Sequence, residues 1–106
     1  MSQDTQVTPA AFREGSATFI APFGHTLQLD VGADHIAAFV RVDGADARLP
    51  LVSVYGYTAA RSALINRVPV LIVGHAYLPL PATEHAAAVA FLQAQGAYSH
   101  TAGVDA

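Results

Sequence analysis

Histidines are the side chains with the broadest chemistry in this sequence, and they stand at positions 25, 35, 75, 85 and 100. No two of them have the i, i+2 or i, i+4 spacing that places a pair of metal ligands on one face of a strand or helix. Glu84 and His85 are adjacent on a predicted helix, where neighbouring side chains diverge by about 100°. This pair indicates helix capping and solvation, and we expect no metal and no cofactor.

The possible nucleophiles are equally isolated. The serines at 16, 53, 62 and 99 lack the Gly-x-Ser-x-Gly setting of a nucleophile elbow. The chain contains no cysteine and no lysine, which excludes thiolate, Schiff-base and phosphate-loop chemistry. Asp43 and Asp46 are explained by an Asp-Gly turn rather than by a cation site. The sequence therefore predicts neither hydrolase nor oxidoreductase activity, and we expect a protein that is not an enzyme.

Charge is sparse along the chain. Charged residues make up 12% of the 106 residues, about half of the roughly 25% of an average soluble domain. The five arginines are scattered along the sequence and the net charge is −3. The sequence therefore indicates no basic stripe that could bind nucleic acid. No apolar run is long enough to span a membrane and no signal peptide is evident, which favours a cytoplasmic product. So few charges favour self-association.

Two groups of side chains are candidates for a protein interface. Tyr55 and Tyr57 share one face of a predicted strand, where either an interface patch or half-buried strand positions explain them. Arg61 and Arg67 flank residues 58–66, and they fit either ion pairs with a neighbouring chain or a solvated loop. Neither group identifies a partner.

The elements that must position these residues are mainly β. The pattern predicts strands within residues 17–23, 25–31, 36–42, 49–57 and 68–73. Asp43-Gly44 breaks the chain into a hairpin, and Pro69 falls near the start of its strand, where a missing donor is tolerated. Residues 58–66 fit either a loop or a short helix. A stiff connector over residues 78–81 then leads to the single helix.

The helix is predicted over about residues 83–95. Thr83 suits the N-cap and Gly96 suits the left-handed position after the last turn. The expected apolar stripe consists of Ala88, Phe91, Leu92 and Gln95. One domain over residues 16–97 accounts for the whole pattern, because the chain is too short for two independent cores.

Both termini are expected to be flexible tails, over residues 1–15 and 98–106. The first segment carries only Val7 and Phe12 as bulky apolar residues, too few to offset the entropy of ordering the backbone. On a partner, Thr8 and its neighbours can add as an extended strand to a sheet edge, while Phe12 fills a pocket beside Arg13. The predicted protein interface therefore consists of Val7, Thr8, Phe12, Arg13, Tyr55 and Tyr57.

Several short segments recur in the order of a known family. They are Leu27-x-Leu29-Asp30, Ile36-Ala-Ala-Phe39 running to Asp43-Gly44, Leu51-Val-Ser-Val, Glu84-His85 before Ala90-Phe91, and Ser99-His100. With this order the chain resembles lambda-like phage head decoration proteins over about 75 residues. It departs from that family in having no tryptophan, and in carrying Arg67-Val68-Pro69 where the family shows a Ser-Gly pair.

The resemblance implies a small bent β-ribbon that closes into an incomplete, beta-clip-like barrel. It also implies a cement protein of the virion surface, whose trimers bind the major capsid protein and clamp the expanded phage head. The alternatives are another non-enzymatic phage structural, tail or adaptor protein, and a small ligand-binding barrel built from scattered His and Tyr side chains.

Overall fold

The computed structural model describes residues 11–42 and 44–99, which form two antiparallel sheets and one helix. The expectation of a mainly β fold with a single C-terminal helix is confirmed, and the sheets are not closed into a barrel. The elements are β1 (Gly15–Ile20), β2 (Thr26–Val31), β3 (His35–Arg41), β4 (Leu49–Tyr55), β5 (Arg61–Ile65), β6 (Val68–Val73), β7 (Ala76–Pro79) and α1 (Ala82–Ala94).

The larger sheet is a meander in the order β1-β2-β3-β4. Alternation along β2 places Leu27, Leu29 and Val31 on the buried face, as the sequence pattern predicts. The hairpin between β3 and β4 also forms as predicted, with Gly44 at a positive φ in its connection. Leu51 is an extra residue in a bulge of β4 opposite the step from Ala38 to Phe39.

The smaller sheet has the order β5-β6-β7, with β6 at its centre. Val70, Leu71, Ile72 and Val73 are all buried, which confirms that this strand crosses the core. Pro69 is the second residue of the strand, close to the predicted position near its start.

One core joins the two sheets and the helix. Leu71 and Val73 belong to the same buried cluster as Leu29 of the larger sheet and Leu92 of α1. The approach is close at Gly74, where an added Cβ would lie 2.5 Å from Val54 Cγ2. A side chain at this position would force the small sheet away from β4.

The helix begins one residue earlier than predicted and ends one residue earlier. Pro81 occupies the N-cap and no side chain caps the first turn, so the expected Thr83 cap is wrong. Proline suits the boundary because its fixed φ leads into the first turn and its missing N–H is not required there. Gly96 has a φ of 72°, which confirms the predicted left-handed position after the helix.

Residues 58–66 are neither the loop nor the short helix that their composition favours. Arg61–Ile65 forms β5, paired along its length with β6. Strand pairing and burial against a central apolar strand outweigh the helix propensity of a short alanine-rich segment.

The domain also begins before the predicted boundary at residue 16. Phe12 is only 7% exposed and belongs to the core cluster, and its backbone N–H donates to the Ala33 carbonyl at 2.8 Å. The Arg13 N–H likewise donates to the Gln95 carbonyl. Because these two hydrogen bonds attach the segment to the rest of the domain, residues 11–15 are not part of an independent arm. The predicted arm over residues 1–10 lies outside the described residues.

The C-terminal boundary shifts in the same direction. Tyr98 forms a parallel bridge with Ala60, and the Ser99 N–H donates to the Ala60 carbonyl at 2.8 Å. The first two residues of the predicted tail are therefore attached to the domain, and residues 100–106 lie outside the described part of the chain.

The outer edges of both sheets are occupied or interrupted. Glu84 of α1 accepts a hydrogen bond from the Ile20 N–H at the end of β1, with a distance of 2.7 Å. The segment around Tyr98 lies beside the start of β5. The other two edge strands, β4 and β7, contain Pro50 and Pro79, which cannot donate to an added strand.

Candidate functional site

Apart from Tyr77 on β7, the large apolar side chains that are exposed lie at two places on the molecule. Within residues 11–42 and 44–99, the exposed ones are Ile20, Phe23, Val42, Leu49, Leu51, Leu64, Ile65, Val68, Tyr55, Tyr57 and Tyr77. The first eight of these gather at one end, which we call the apolar end. Tyr55 and Tyr57 lie at the opposite end, which we call the tyrosine end.

Within the larger sheet, the strand register brings the residues of the apolar end close together. Ile20 pairs with Thr26 across the Pro22–Gly24 turn, and Thr26 pairs with Arg41. The Pro22–Gly24 turn and the β3–β4 connection over residues 42–48 therefore lie side by side. Both connections carry exposed apolar side chains.

The smaller sheet reaches the same end through β7. A pocket of about 200 Å³ opens there, with Phe23, Leu51 and Leu80 among the residues that line it. The Leu80 N–H donates to the Pro69 carbonyl, and Pro69 pairs with Leu64 in β5. The hairpin between β5 and β6 therefore projects from the apolar end beside this pocket.

Almost all of the pocket wall is apolar. Besides the residues already named, the wall is formed by Ala21, Pro22, His25, Leu27, Val40, Leu78 and Pro79. The exception is His25, whose Nδ1 atom is buried without a hydrogen-bond partner in the described structure. A wall of this composition binds apolar side chains and offers few groups for orienting a polar substrate.

Phe23 is the most exposed large side chain, at 93%. Its φ is 65° and its ψ is 24°, a left-handed conformation that costs a residue other than glycine about 1 to 2 kcal/mol. The ring gains little contact with the chain in return. Backbone strain that displays an aromatic ring to solvent is typical of a functional position.

The β5–β6 hairpin repeats this combination of strain and exposure. Asn66 and Arg67 have φ values of 51° and 66°, so both central residues of the two-residue turn are left-handed. Such a turn favours glycine at the second position, which Arg67 occupies here. Leu64 beside the turn is 70% exposed, and Ile65 and Val68 are also exposed.

The tyrosine end is built differently. Tyr55, 64% exposed, stacks on His35 with ring centroids 4.8 Å apart. Tyr57, 39% exposed, meets the edge of Phe12 at 6.0 Å. Its N–H donates to the carbonyl of Asp34, in the turn between β2 and β3. Each tyrosine is thus partly held by its own domain.

The predicted interface residues are only partly brought together. Phe12, Tyr55 and Tyr57 converge at the tyrosine end, but Phe12 is buried and contributes its ring to the core instead of to a surface. Arg13 is exposed next to Phe12. Tyr57 follows β4 at a φ of 65° and does not continue the strand. Val7 and Thr8 lie outside the described residues.

A polar cluster covers part of the outer face of the larger sheet. The Asp30 carboxylate accepts hydrogen bonds from Ser16 at 2.7 Å and Gln28 at 2.8 Å, and Arg48 lies 3.4 Å away. Partial burial acts to raise the pKa of Asp30, but these bonds and the Arg48 charge outweigh it and lower the pKa. Arg48 also stacks over the Phe39 ring at 4.0 Å. The carboxylate is satisfied by its own sheet.

A second polar cluster joins β5, α1 and the segment that follows the helix. Ser62 Oγ accepts a hydrogen bond from the Tyr98 hydroxyl at 2.8 Å and lies 3.0 Å from His85 Nε2. Burial lowers the pKa of His85 below its ordinary value of 6.5, and a hydrogen bond with the Val70 backbone opposes this shift only in part. His85 and Glu84 thus make long-range contacts instead of the expected capping and solvation.

The Ser62–His85 distance is that of a nucleophile and its base, but the arrangement lacks other parts of a catalytic site. His85 is oriented by the backbone of Val70 and by no carboxylate that the structure describes. Ser62 Oγ already accepts a hydrogen bond from the Tyr98 hydroxyl. The pocket lies at the apolar end, and neither Ser62 nor His85 lines it. These bonds connect three segments of the fold.

No group of three or more potential metal ligands is present in the described part of the chain. The helix α1 is too short to cross a membrane, and no other described helix is longer.

Comparisons with known proteins give no relative. No family model matches the sequence, and neither a curated protein nor a solved structure matches the chain.

The apolar end was not found among the candidate residues from sequence. Its members come from four strands and two connections between residues 20 and 68, so only the strand register brings them together. The one local signal was Pro22-Phe23-Gly24, an aromatic residue between two turn formers.

Proposed function

We propose that this chain is a non-enzymatic structural protein that binds other proteins through its two ends, as a capsid decoration protein does. The observation that carries the proposal is the separation of its exposed large apolar side chains, apart from Tyr77, into the apolar end and the tyrosine end. A cement protein needs two such surfaces, one for other copies of itself and one for the shell. The order of segments along the sequence supports the same function.

The apolar end is assigned to self-association, with a homotrimer as the expected assembly. Its pocket and its strained, exposed Phe23 suit a tight protein contact, because apolar burial is the main source of affinity at the centre of an interface. Isolated exposed apolar residues need no explanation, but a contiguous group of them indicates an interaction surface.

The tyrosine end is assigned to the major capsid protein. The Phe12 ring packs against Tyr57 and its N–H donates to the Ala33 carbonyl, so the first described residues lie at this end. The predicted arm with Val7 and Thr8 precedes them in the sequence, and its proposed role is to extend the same contact onto a shell protein. The proposed location is the surface of the virion.

The test uses a tagged chain expressed in its native source and followed by rate-zonal centrifugation. We expect the chain to sediment with large protein shells, and electron microscopy to show regular protrusions on them. A Tyr55→Asp, Tyr57→Asp variant should leave the shell fractions, whereas Tyr77→Asp, which alters an exposed tyrosine on β7, should remain. Sedimentation with tails indicates the adaptor alternative, and sedimentation only as a free protein contradicts the proposal.

A further inference from the structure

The β5–β6 hairpin is shaped to enter an apolar site. Leu64 is 70% exposed at its tip, and Arg67 holds a left-handed conformation that glycine would adopt with less strain. An exposed leucine beside a strained arginine suits a contact that combines apolar burial with an ion pair. Within the chain, Leu64 does not fill the pocket of the apolar end, because it remains exposed to solvent.

The pocket of the apolar end fits such a side chain. Its volume of about 200 Å³ exceeds that of an engineered cavity of about 150 Å³ that accommodates benzene, so it has room for a leucine. Its walls include Leu51 and Leu78, which provide the apolar contacts that a leucine requires. The tip and the pocket are therefore complementary surfaces on the same molecule.

Charge distribution favours a second copy as the occupant. The sequence contains no carboxylate between Asp46 and Glu84, so the smaller sheet carries Arg61 and Arg67 without acidic residues of its own. Asp46 is exposed in the β3–β4 connection at the apolar end. Neither Asp46 nor Arg67 has an ion-pair partner among residues 11–42 and 44–99.

We propose that the β5–β6 hairpin of one copy inserts Leu64 into the pocket of a second copy, with Arg67 paired to Asp46 of that copy. This inference rests on the self-association assigned above and names the contact that produces it. The two partners use different surfaces, so the contact is head-to-tail, and it closes into a ring when the rotation between copies permits.

Complementary variants test the contact. Leu64→Asp removes the apolar tip and Leu51→Asp places a carboxylate in the pocket wall. We expect each variant alone to dissociate at least tenfold more readily than the wild type. One is then labelled with 15N and mixed with the other, so that native mass spectrometry distinguishes them. One intact tip and one intact pocket remain, and the mixture should form 1:1 heterodimers that do not grow into rings.

Charge reversal tests the ion pair independently. Arg67→Asp and Asp46→Arg should each weaken assembly by up to about fivefold, which corresponds to the measured range for exposed pairs. The two changes combined in one chain should restore assembly. Arg13→Asp, an equivalent reversal at the tyrosine end, is the matched control and should have no effect. Circular dichroism of each variant checks that the fold is retained.

The outcomes separate this inference from the proposed function. If Leu64→Asp assembles like the wild type, or the mixture stays monomeric while the wild type assembles, the head-to-tail contact is wrong and self-association stands. A wild-type chain that is monomeric both in solution and on shells contradicts the self-association itself.

Discussion

The two ends of the molecule expose apolar side chains under different conditions. At the tyrosine end, Tyr55 stacks on His35 and Tyr57 packs against Phe12, so both rings also contribute to their own domain. At the apolar end, Phe23 and Leu64 are 93% and 70% exposed, and the backbone at Phe23 and Arg67 is strained. Tyr57 is also strained, with a φ of 65°, but the contact of its ring with Phe12 offsets that strain within the domain. Phe23 has no comparable contact, because its side chain is almost fully exposed, which points to a partner as the source of compensation.

The largest expected effect concerns how the tyrosine end is anchored. Phe12→Ala removes a buried aromatic ring from the core, and we expect a loss of about 3 kcal/mol in the free energy of unfolding, measured with urea. Deletion of residues 2–10 should change this free energy by less than about 0.5 kcal/mol, because the deletion leaves Phe12 in place.

The same pair of variants separates folding from attachment. The deletion should abolish binding to shells and leave the oligomer size unchanged. Equal shell binding by the shortened chain would show that the arm is not part of the contact, and equal stability of Phe12→Ala would show that the domain begins after residue 12.

The second prediction compares two strained aromatic residues, one at each end. Phe23→Gly should raise the free energy of unfolding by about 0.5 kcal/mol, because relief of the left-handed strain exceeds the entropy cost of glycine. Self-association should weaken at the same time. Tyr57→Gly relieves the same strain but also removes the contact with Phe12, so its stability should fall. Thermal unfolding measures the stability of both variants, and sedimentation measures their self-association. A stability change in the same direction for both variants would contradict the prediction.

The third prediction concerns the cluster that ties β5, and with it the projecting hairpin, to the rest of the fold. Burial lowers the pKa of His85, so the unfolded state binds a proton at this side chain more readily. Its contribution to stability is present above about pH 6.5 and is lost as the pH falls through the lower pKa of the folded state. His85→Asn should flatten the fall in stability between about pH 7 and pH 5. His75→Asn, in an exposed turn, is the control and should keep the wild-type slope.

The smallest expected effect concerns the outer face between the ends. Because the pKa of Asp30 is lowered in the fold, its contribution is present above its ordinary pKa of 3.8 and is lost as the pH falls through the lower folded value. The Asp30→Asn variant should therefore lose less free energy of unfolding than the wild type between about pH 5 and about pH 3, measured by urea unfolding. A steeper acid loss in the variant would contradict this assignment.

Local sequence patterns predict the elements in which the local conformational preference and the long-range packing favour the same structure. β2 alternates, β6 is continuously apolar, and the helix is bounded by Gly96, so their positions followed from sequence alone. The sequence does not indicate β5, because the alanine-rich residues 58–66 that contain it have a weak local preference, and pairing with β6 decides their conformation.

The candidate surfaces were harder to predict than the strands. Tyr55 was identified as a surface residue and is exposed, but Phe12 was assigned to a tail on the composition of its neighbours and lies in the core. Its burial depends on the distant Ala33 and Gln95 segments, which no local pattern relates to it. The apolar end likewise combines residues of both sheets, which only the tertiary structure brings together.

The treatment of the sheet edges limits the ways in which this chain can assemble. An exposed edge strand is a template that recruits further strands without limit, and fibres are the usual result. Here Pro50 and Pro79 interrupt two edges, while Glu84 of α1 binds the end of β1 and Tyr98 lies beside Ala60 at the start of β5. Growth by backbone pairing is therefore disfavoured, which leaves a larger part in setting the stoichiometry to side-chain contacts. Assembly through side-chain contacts favours finite particles over fibres.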